Sequence, residues 1–364
     1  MIRLLCIVSS MDTGGAETFL MKLYRGLDKS RYQMDFIAAT SKKGYYDDEI
    51  RSMGGKIYHI ALHTKHPVRA FWQVKHIVKS GQYNCVLKLL GSPIGVIDLL
   101  AARTGGARLL AARSCGGFIR SDSKKHLLQE LLRKILNKTA TVKLAPSDLA
   151  ARYTFGDKLF EAGKVTLLHN ALDLSVYRFS KAGREEVRKE FSLGDSLVIG
   201  HIGRFTEQKN HAFLLEVFAE LKAKRPDAKL FLVGTGPLQE TIRQKSEKLG
   251  LDGHVIFAGV RSDIPALLSA MDAFVFPSFY EGMPNTVIEA QATGLPCVIA
   301  DTITKGAKVT DLVNRLSLGA PPAVWANAAL SAAQTERTDT SAVLRNAGYD
   351  IEDVIRQFID LCFV

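Results

Sequence analysis

Two glutamates separated by seven residues, Glu281 and Glu289, carry the clearest chemical signal in the sequence. The apolar run 273–277 predicts a strand that ends shortly before Glu281, and a helix is predicted to begin at Asn285. In open α/β sheets, ligands bind beyond the carboxyl ends of the strands. Since a helix rises about 1.5 Å per residue, both carboxylates could reach one polyhydroxylated ligand. The free backbone amides that favour an anion at this helix start belong to Gly282, Met283 and Asn285.

A second polar group follows the strand predicted over residues 197–202. Gly203 and Arg204 come at its carboxyl end, Lys209 lies in the loop, and Asn210 can cap the next predicted helix, 211–224. A guanidinium, an ammonium and a helix N-terminus near one point form a suitable site for a diphosphate.

Adjacent glycines, Gly14 and Gly15, follow the first predicted strand and are succeeded by Glu17. Glycines at a strand-to-helix turn allow the backbone to approach a ligand closely, and the helix start favours phosphate. A nicotinamide enzyme would carry G-x-G-x-x-G at this place, and the sequence does not. A later pair, Gly234 and Gly236, also lacks the third small residue, because position 239 is glutamine.

Each of these motifs also has a purely structural interpretation. Glu281 could be a solvated loop residue and Glu289 a salt-bridged helix residue. Arg204 could pair with Glu207 while Lys209 is a surface charge, and the adjacent glycines could serve only a tight turn.

Together the basic pair, the glutamate pair and the glycine loop resemble the retaining family 4 glycosyltransferases of GT-B fold. The resemblance covers nearly the whole chain, including residues 170–173 and 233–238. The stretches 301–304 and 310–313 resemble the branch of that family that serves bacterial capsule and exopolysaccharide assembly.

The resemblance implies a role for each residue of the site. Arg204 and Lys209 would neutralise the diphosphate as it leaves, and Glu281 would hold hydroxyls of the donor sugar. Glu289 would hold the ribose of the nucleotide, with a UDP-sugar as the expected donor, and Gly15 would let its loop touch the phosphates or the acceptor. The remaining donor-binding residues implied are Gly203, Gly282, Met283 and Asn285.

The resemblance also implies a reaction without a metal ion or other cofactor, because the cations and the helix N-terminus do the work that Mg²⁺ does elsewhere. Retention is explained in such enzymes by same-face attack, in which the leaving phosphate deprotonates the acceptor. The acceptor-binding residues implied are Gly14, Glu17 and Arg113.

Two positions depart from the family pattern. Many relatives carry a histidine after a strand of the N-terminal half, where this sequence has Arg113. Arg113 would either grip an anionic acceptor or be a basic surface residue. The usual glycine of the hinge motif is Ala171 here, which would be strained if the backbone required a positive φ.

Apolar runs of strand length alternate with amphipathic stretches of helix length along the chain, which predicts parallel sheets covered on both faces. The fold class expected is α/β, with two Rossmann-like, doubly wound domains facing a central cleft. We expect an acceptor-binding domain over residues 1–175 and a nucleotide-sugar-binding domain over residues 176–345. Residues 346–364 are predicted to form a helix that packs back toward the first domain.

The positive charge lies in the first half of the chain. Residues 1–170 contain 27 basic and 13 acidic residues, a net charge of +14, whereas residues 171–364 carry −3. A helix predicted over residues 123–138 has basic flanks, including Lys124, Lys125 and Arg133, beside a leucine stripe that the core equally needs. It favours an anionic membrane surface with slight apolar insertion. The alternative is a core-facing helix with a solvated basic back.

Composition narrows the function further. The chain has 47% hydrophobic and 23% charged residues, no apolar run long enough for a membrane span, and five scattered cysteines that are expected to be reduced core thiols. No nucleic-acid-binding module is recognisable, so no nucleic acid partner is expected. We expect a cytoplasmic enzyme on the inner face of the plasma membrane that acts on a lipid-linked saccharide acceptor. The rivals are a nucleotide-sugar epimerase of the same fold and a silent scaffold subunit.

Overall fold

The computed structural model describes residues 1–62, 65–115 and 126–363. The chain divides into two compact units, the first formed by residues 1–171 with 348–364 and the second by residues 172–347. Within the described residues, the first unit contains a parallel seven-stranded sheet in the order β3-β2-β1-β4-β5-β6-β7. Its strands are β1 (Ile2–Val8), β2 (Tyr32–Ala38), β3 (Ile57–His59), β4 (Cys85–Leu90), β5 (Leu109–Ser114), β6 (Val142–Ala145) and β7 (Thr166–Leu167).

The central strands of this sheet are apolar throughout because helices cover both faces. Leu4 and Cys6 of β1 pack into one buried cluster, while Leu5 and Ile7 pack into another on the opposite face. Each connection between parallel neighbours is a crossover that contains helix. The helices are α1 (Gly15–Gly26), α2 (Asp47–Ser52), α3 (Pro67–Ser80), α4 (Val96–Gly105), α5 (His126–Thr139), α6 (Asp148–Phe155) and α7 (Asp157–Glu161).

The second unit has a parallel six-stranded sheet, within the part of the chain that is described, in the order β10-β9-β8-β11-β12-β13. The strands are β8 (Val198–Ile202), β9 (Lys229–Val233), β10 (Val255–Gly259), β11 (Ala273–Phe276), β12 (Cys297–Ala300) and β13 (Val313–Leu316). The helices are α8 (Lys181–Glu190), α9 (His211–Lys224), α10 (Gln239–Lys248), α11 (Ile264–Ala270), α12 (Asn285–Ala292), α13 (Pro322–Ala333) and α14 (Ser341–Asn346). Two Rossmann-like parallel sheets are the fold class predicted from the sequence.

The last helix, α15 (Ile351–Cys362), belongs to the first unit. Val354, Phe358 and Cys362 form its buried stripe and join the core cluster on the α1 side of the sheet. All five cysteines are free thiols, as expected, and four of them are buried.

The basic helix differs from its prediction. Residues 123–125, which include Lys124 and Lys125, lie outside the described part, and α5 is described from His126. The core takes up only part of the predicted apolar stripe: Leu132 and Ile135 pack against the core cluster, whereas Leu128 and Leu131 are 57% and 56% exposed. Leu136 is fully buried in the same cluster.

Two further features of this helix bear on its surface. Leu127 is 84% exposed, and Ile94, in the turn against which α5 packs, is 57% exposed. Arg133 is engaged by Glu130 and by the carbonyl oxygen of Tyr153, so it is not a free surface cation. Within the described residues, no helix combines the length and apolar character needed to span a bilayer.

Candidate active site

Lys209 and Glu281 meet at the carboxyl end of the second sheet. The Lys209 ammonium lies 2.7 Å from Glu281 Oε1, and the two side chains are only 17% and 11% exposed. Lys209 also lies 4.5 Å from the centroid of the Phe276 ring at the end of β11. The pair is therefore held in a partly desolvated place, where an ion pair is stronger than on an open surface.

Backbone hydrogen bonds fix the two loops that carry this pair. The Phe279 amide donates to the carbonyl oxygen of Gln208 at 2.9 Å, and the Gln208 side-chain amide donates to the carbonyl oxygen of Tyr280 at 2.9 Å. The loop after β11 is thus fastened to the 3₁₀ turn Glu207–Lys209, with Glu281 next in sequence. Because these hydrogen bonds hold the two loops side by side, Lys209 and Glu281 lie within ion-pair distance.

Glycines let the loops after β8 and β9 approach each other at backbone distance. Gly234 has a φ of +130°, and a methyl group there would overlap the carbonyl oxygen of Gly203. A methyl group at Gly236 would lie 2.5 Å from the carbonyl oxygen of Phe205. At Gly203, a methyl group would crowd the Lys209 side chain at 3.2 Å. The floor of the site therefore requires small residues at these positions.

Arg204 is exposed and forms no ion pair with any described residue. The alternative that it pairs with Glu207 is therefore wrong. Asn210 lies at the N-cap position of α9, but its side chain does not cap the helix, and its φ is +54°. The predicted side-chain cap is wrong because this residue turns the chain in the left-handed conformation, which asparagine tolerates better than most residues.

Glu289 is the fifth of the eight residues of α12, which begins at Asn285. Burial raises the pKa of the Tyr177 hydroxyl, and the neighbouring Glu289 carboxylate raises it further. Gly282 and Met283 lie in the partly buried loop before the helix. The structure thus places every predicted donor-binding residue of this motif at the carboxyl end of β11 or in the helix that follows.

Two buried histidines beside Lys209 were not predicted as part of the site. His201 Nδ1 donates to the carbonyl oxygen of Val275 at 2.9 Å, and its ring lies 4.7 Å from that of His211. His201 Nε2 and both nitrogens of His211 have no hydrogen-bond partner among the described residues. Burial lowers the pKa of His201 well below its usual value and, together with Lys209, lowers the pKa of His211 to about 4. Both rings are therefore neutral at pH 7. His201 lies in a strand and is flanked by apolar neighbours, so its place in the sequence indicated only a core residue.

In the first unit, Gly14 is the N-cap residue of α1, Gly15 begins the helix, and Glu17 lies in its first turn. The Glu17 carboxylate folds back over Gly14, where a methyl group would overlap it. Burial raises the pKa of Glu17, and Asp12 nearby raises it further. The predicted loop is thus a compact turn at the carboxyl end of β1, with a carboxyl group laid across the glycines.

Arg113 is not a basic surface residue, because it is 1% exposed at the end of β5. Its guanidinium donates to Asn170 Oδ1 at 2.7 Å and to the carbonyl oxygen of Leu168 at 3.2 Å. It also lies 4.0 Å from the ring centroid of Phe19, and burial lowers its pKa to about 10. Arg113 therefore fixes residues 168–170, at the end of the first of the two segments that form this unit. Ala171 causes no strain there, because its φ is not positive.

Lys209, Glu281 and the glycine-built loops thus lie together at the carboxyl end of a doubly wound sheet, where folds of this class bind their ligands. Residues 183–339 match the family described as "Glycosyl transferases group 1". EpsF from Bacillus subtilis (strain 168), named as a glycosyltransferase, is 35% identical over 371 residues, which cover 99% of this chain and 96% of EpsF. The chain belongs to this glycosyltransferase family, and the resemblance inferred from the sequence is confirmed.

Two further comparisons extend this result. An Escherichia coli enzyme, UDP-Gal:alpha-D-GlcNAc-diphosphoundecaprenol alpha-1,3-galactosyltransferase, is 24% identical over 297 residues, covering 79% of this chain and 76% of that enzyme. Anabaena Alr3699/HepE, crystallised in complex with UDP, superposes with a TM-score of 0.79 at 19% identity, covering 99% of both chains. The second likeness shows the fold, which is GT-B.

Proposed function

We propose that this glycosyltransferase moves a sugar from a UDP-sugar to a lipid-linked saccharide or polysaccharide precursor, with retention of anomeric configuration, in the synthesis of capsule, exopolysaccharide or lipopolysaccharide. The observation that carries the proposal is the Lys209–Glu281 ion pair with the exposed Arg204 nearby in sequence. The name of the Escherichia coli relative, with its UDP-Gal donor and diphosphoundecaprenol acceptor, supports the donor and acceptor classes. The UDP complex of the Anabaena structure supports the nucleotide.

The ion pair supplies both kinds of group that a nucleotide-sugar requires. Glu281 Oε1 accepts a hydrogen bond from the Lys209 ammonium. The carboxylate retains further lone pairs that can accept hydrogen bonds from sugar hydroxyls. Lys209 keeps two further N–H donors for phosphate oxygens. Arg204, which has no carboxylate partner among the described residues, contributes the uncompensated charge that attracts the diphosphate.

The proposed reaction needs no covalent enzyme intermediate. The acceptor hydroxyl attacks C1 of the donor sugar on the face from which the diphosphate departs. The bond between C1 and the diphosphate oxygen breaks, its electron pair stays with UDP, and the acceptor proton passes to a phosphate oxygen. Arg204 and Lys209 stabilise the negative charge that develops on the leaving group.

A donor panel tests this function directly. Purified protein is incubated with UDP- and GDP-sugars, with and without a lipid-linked acceptor fraction, and the released nucleoside diphosphate and the product linkage are measured. We expect acceptor-dependent release of UDP and an α-linked product from an α-linked donor. Product of inverted configuration would refute retention, and rearrangement of the donor without acceptor would support the epimerase alternative.

We propose that catalysis requires no metal ion. The charge on the leaving diphosphate is met by Arg204, Lys209 and the start of α12, and no Asp-x-Asp motif follows a strand of the second sheet. Activity in excess EDTA is expected to stay within about twofold of the untreated enzyme, since these cations supply the electrostatic stabilisation. The check is the initial rate of UDP release before and after chelation. Complete loss that Mg²⁺ or Mn²⁺ restores would show that a metal does this work.

We further propose that the first unit binds the inner face of the plasma membrane through α5. The exposed residues Leu127, Leu128 and Leu131 provide an apolar surface, and the exposed Lys134 and Lys138 lie on the same helix. A basic residue near an anionic bilayer contributes about 1 kcal/mol, and burying a leucine side chain contributes about 1.5–3 kcal/mol. Both terms are large enough to recruit the protein reversibly.

Vesicle co-sedimentation separates the two terms. Changing Leu127, Leu128 and Leu131 together to Ser should weaken binding to anionic vesicles about tenfold or more at any salt concentration. Changing Lys134 and Lys138 to Gln should weaken it about tenfold at low salt and little at high salt, where charges are screened. Val260→Ser, at a valine that is 75% exposed in the second unit, is the matched control and should bind like wild type. Equal binding to neutral and anionic vesicles, or no loss in either variant, would refute the proposal.

A further inference from the structure

His201, in β8, has one ring nitrogen that is hydrogen-bonded and one that is not. The residue is fully buried, and its Nδ1 lies 2.9 Å from the carbonyl oxygen of Val275. A carbonyl oxygen can only accept, so Nδ1 carries a proton. Burial holds the pKa of His201 well below its usual value, so the ring is neutral and Nε2 presents a lone pair. Nε2 has no hydrogen-bond partner among the described residues.

This lone pair borders the same space as the end of the Lys209 side chain. A methyl group placed on Gly203 would lie 3.1 Å from His201 Nε2 and 3.2 Å from both Cδ and Cε of Lys209. The Phe276 ring adjoins both side chains, since its centroid is 4.5 Å from the Lys209 ammonium and 5.2 Å from the centroid of the His201 ring. Because residue 203 is glycine, its side chain does not fill this space.

Packing alone does not explain a histidine at this position. The His201 ring stacks with Phe274 and Phe276, and stacking requires only an aromatic ring. The bond to Val275 uses Nδ1 alone. A buried acceptor without a partner is destabilising, and an apolar ring would avoid that penalty. A hydrogen-bond donor that reaches Nε2 during the reaction would explain why the lone pair is present.

We propose that His201 is a positioning residue for Lys209, and that its Nε2 accepts a hydrogen bond from the lysine ammonium once the donor sugar engages Glu281. This inference rests on the proposed function, in which Glu281 binds sugar hydroxyls and Lys209 binds the diphosphate. In the structure, Glu281 Oε1 is the acceptor that orients the ammonium. Sugar hydroxyls compete for this carboxylate, and His201 then supplies a second acceptor. The ammonium keeps its other N–H donors for the phosphate oxygens.

The consequence differs between the donor and the nucleotide that it releases. With UDP alone, no sugar competes for Glu281, and the ion pair at 2.7 Å holds Lys209. With the sugar present, the orientation of Lys209 depends on His201. Negative charge develops on the diphosphate as its bond to the sugar breaks, so a misplaced ammonium is most costly in the transition state. Loss of the Nε2 acceptor should therefore lower kcat and leave the affinity for UDP nearly unchanged.

Two variants of His201 separate the two ring nitrogens. His201→Asn keeps an N–H bonded to Cγ, as Nδ1 is, and removes the Nε2 lone pair. His201→Gln can place an amide oxygen near Nε2 and removes the Nδ1 donor. Turnover of the donor that the panel selects should fall about tenfold to a hundredfold in His201→Asn, the effect of losing one hydrogen bond to a charged group. His201→Gln should stay within about fivefold of wild type, because the amide oxygen replaces the acceptor.

The same variants are titrated with UDP by calorimetry, and their melting temperatures are measured. The dissociation constant for UDP should change by less than about twofold in both variants, because no hydrogen bond of the UDP complex depends on Nε2. His254→Asn is the matched control. His254 Nδ1 also lies 2.9 Å from a carbonyl oxygen, that of Ala228, and the residue precedes β10 at the opposite edge of the sheet from the site. This variant should turn over like wild type.

Nitrogen-15 NMR of the wild-type histidine rings makes the test independent of whether the variants fold. The Nε2 resonance of a neutral ring moves upfield when its lone pair accepts a hydrogen bond. The His201 ring is assigned through its contacts with Phe274 and Phe276. We expect its Nε2 resonance to be that of a free lone pair in the protein alone and with UDP. It should move upfield when the selected donor is added without acceptor.

Each other outcome is decisive. Equal loss of turnover in His201→Asn and His201→Gln, with equally lowered melting temperatures, would overturn the inference in favour of a merely structural role. Turnover of His201→Asn within about threefold of wild type, less than the effect of one such hydrogen bond, would overturn it as well. An Nε2 resonance that the donor does not move would also do so, while the proposed function would stand. Failure of wild type to release a nucleoside diphosphate from any donor of the panel would refute the proposed function itself, and with it this inference.

Discussion

Replacing Lys209 with alanine is expected to lower kcat by about two to three orders of magnitude, the loss seen when one preorganised donor to a developing charge is removed. The change takes away the ammonium that meets the leaving diphosphate. It also strands the Glu281 carboxylate, which is 11% exposed and 2.7 Å from its present partner. A stranded carboxylate near the diphosphate repels it, so the affinity for UDP should fall as well.

Arg204→Ala separates these two effects. It removes an exposed cation without breaking the Lys209–Glu281 pair, so kcat should fall by a similar factor, about two orders of magnitude, without the penalty of an unpaired carboxylate. Lys248→Ala, at an exposed lysine on α10, is the matched control and should leave turnover unchanged. The measurement is the steady-state rate of each variant with the preferred donor. Circular dichroism confirms that each variant is folded. Rates within about threefold of wild type for Lys209→Ala would remove Lys209 from the mechanism, because a loss that small is below the effect of one such donor.

The strands could be predicted because burial on both faces leaves a simple trace in the sequence. The strands predicted over residues 197–202 and 273–277 are β8 and β11 of the structure. A strand such as β13 is harder to recognise, because it is at the edge of its sheet and carries Asn314 and Arg315 between Val313 and Leu316. An edge strand has one neighbour and a more exposed face, so its sequence lacks the continuous apolar run that identifies a central strand.

The residues of the site could be named from spacing, but their partners could not. Spacing along the chain places Lys209 and Glu281 at two strand ends, whereas their contact depends on the order of β8 and β11 in the sheet and on the loops between them. The same limit explains Arg113. Its position after a strand end was visible, but its burial against Phe19 and Asn170 depends on segments far away in the sequence.

The leucines of α5 show a second limit. An amphipathic pattern indicates which side chains share a face of a helix, but it does not say what that face contacts. Here Leu136 is buried, with Leu132 and Ile135 packed against the same core cluster, while Leu128 and Leu131 face outward. The apolar stripe is wider than the core requires, and the excess is the surface to which we assign membrane binding.

Gly234→Ala is expected to damage the donor site through the backbone rather than through a side chain. The φ of +130° is strongly unfavourable for alanine, and the added methyl group would overlap the carbonyl oxygen of Gly203. Backbone strain of about 1–3 kcal/mol and overpacking of about 1–3 kcal/mol together predict a loss of about 3 kcal/mol or more in the free energy of unfolding. Since Gly203 precedes Arg204, the displacement should also weaken UDP binding.

Gly253→Ala is the control that separates conformation from crowding. Gly253 also has a positive φ, +70°, but a methyl group there would meet nothing within 4 Å. It should cost only the strain of the left-handed conformation, about 1 kcal/mol, and leave UDP affinity unchanged. Urea unfolding and calorimetry with UDP on both variants make the comparison. If both variants lost the same stability and kept wild-type affinity, the contact between Gly234 and Gly203 would not matter to the site. A larger loss confined to Gly234→Ala would show that the backbone approach of these two loops, rather than glycine conformation in general, holds Arg204 where the diphosphate binds.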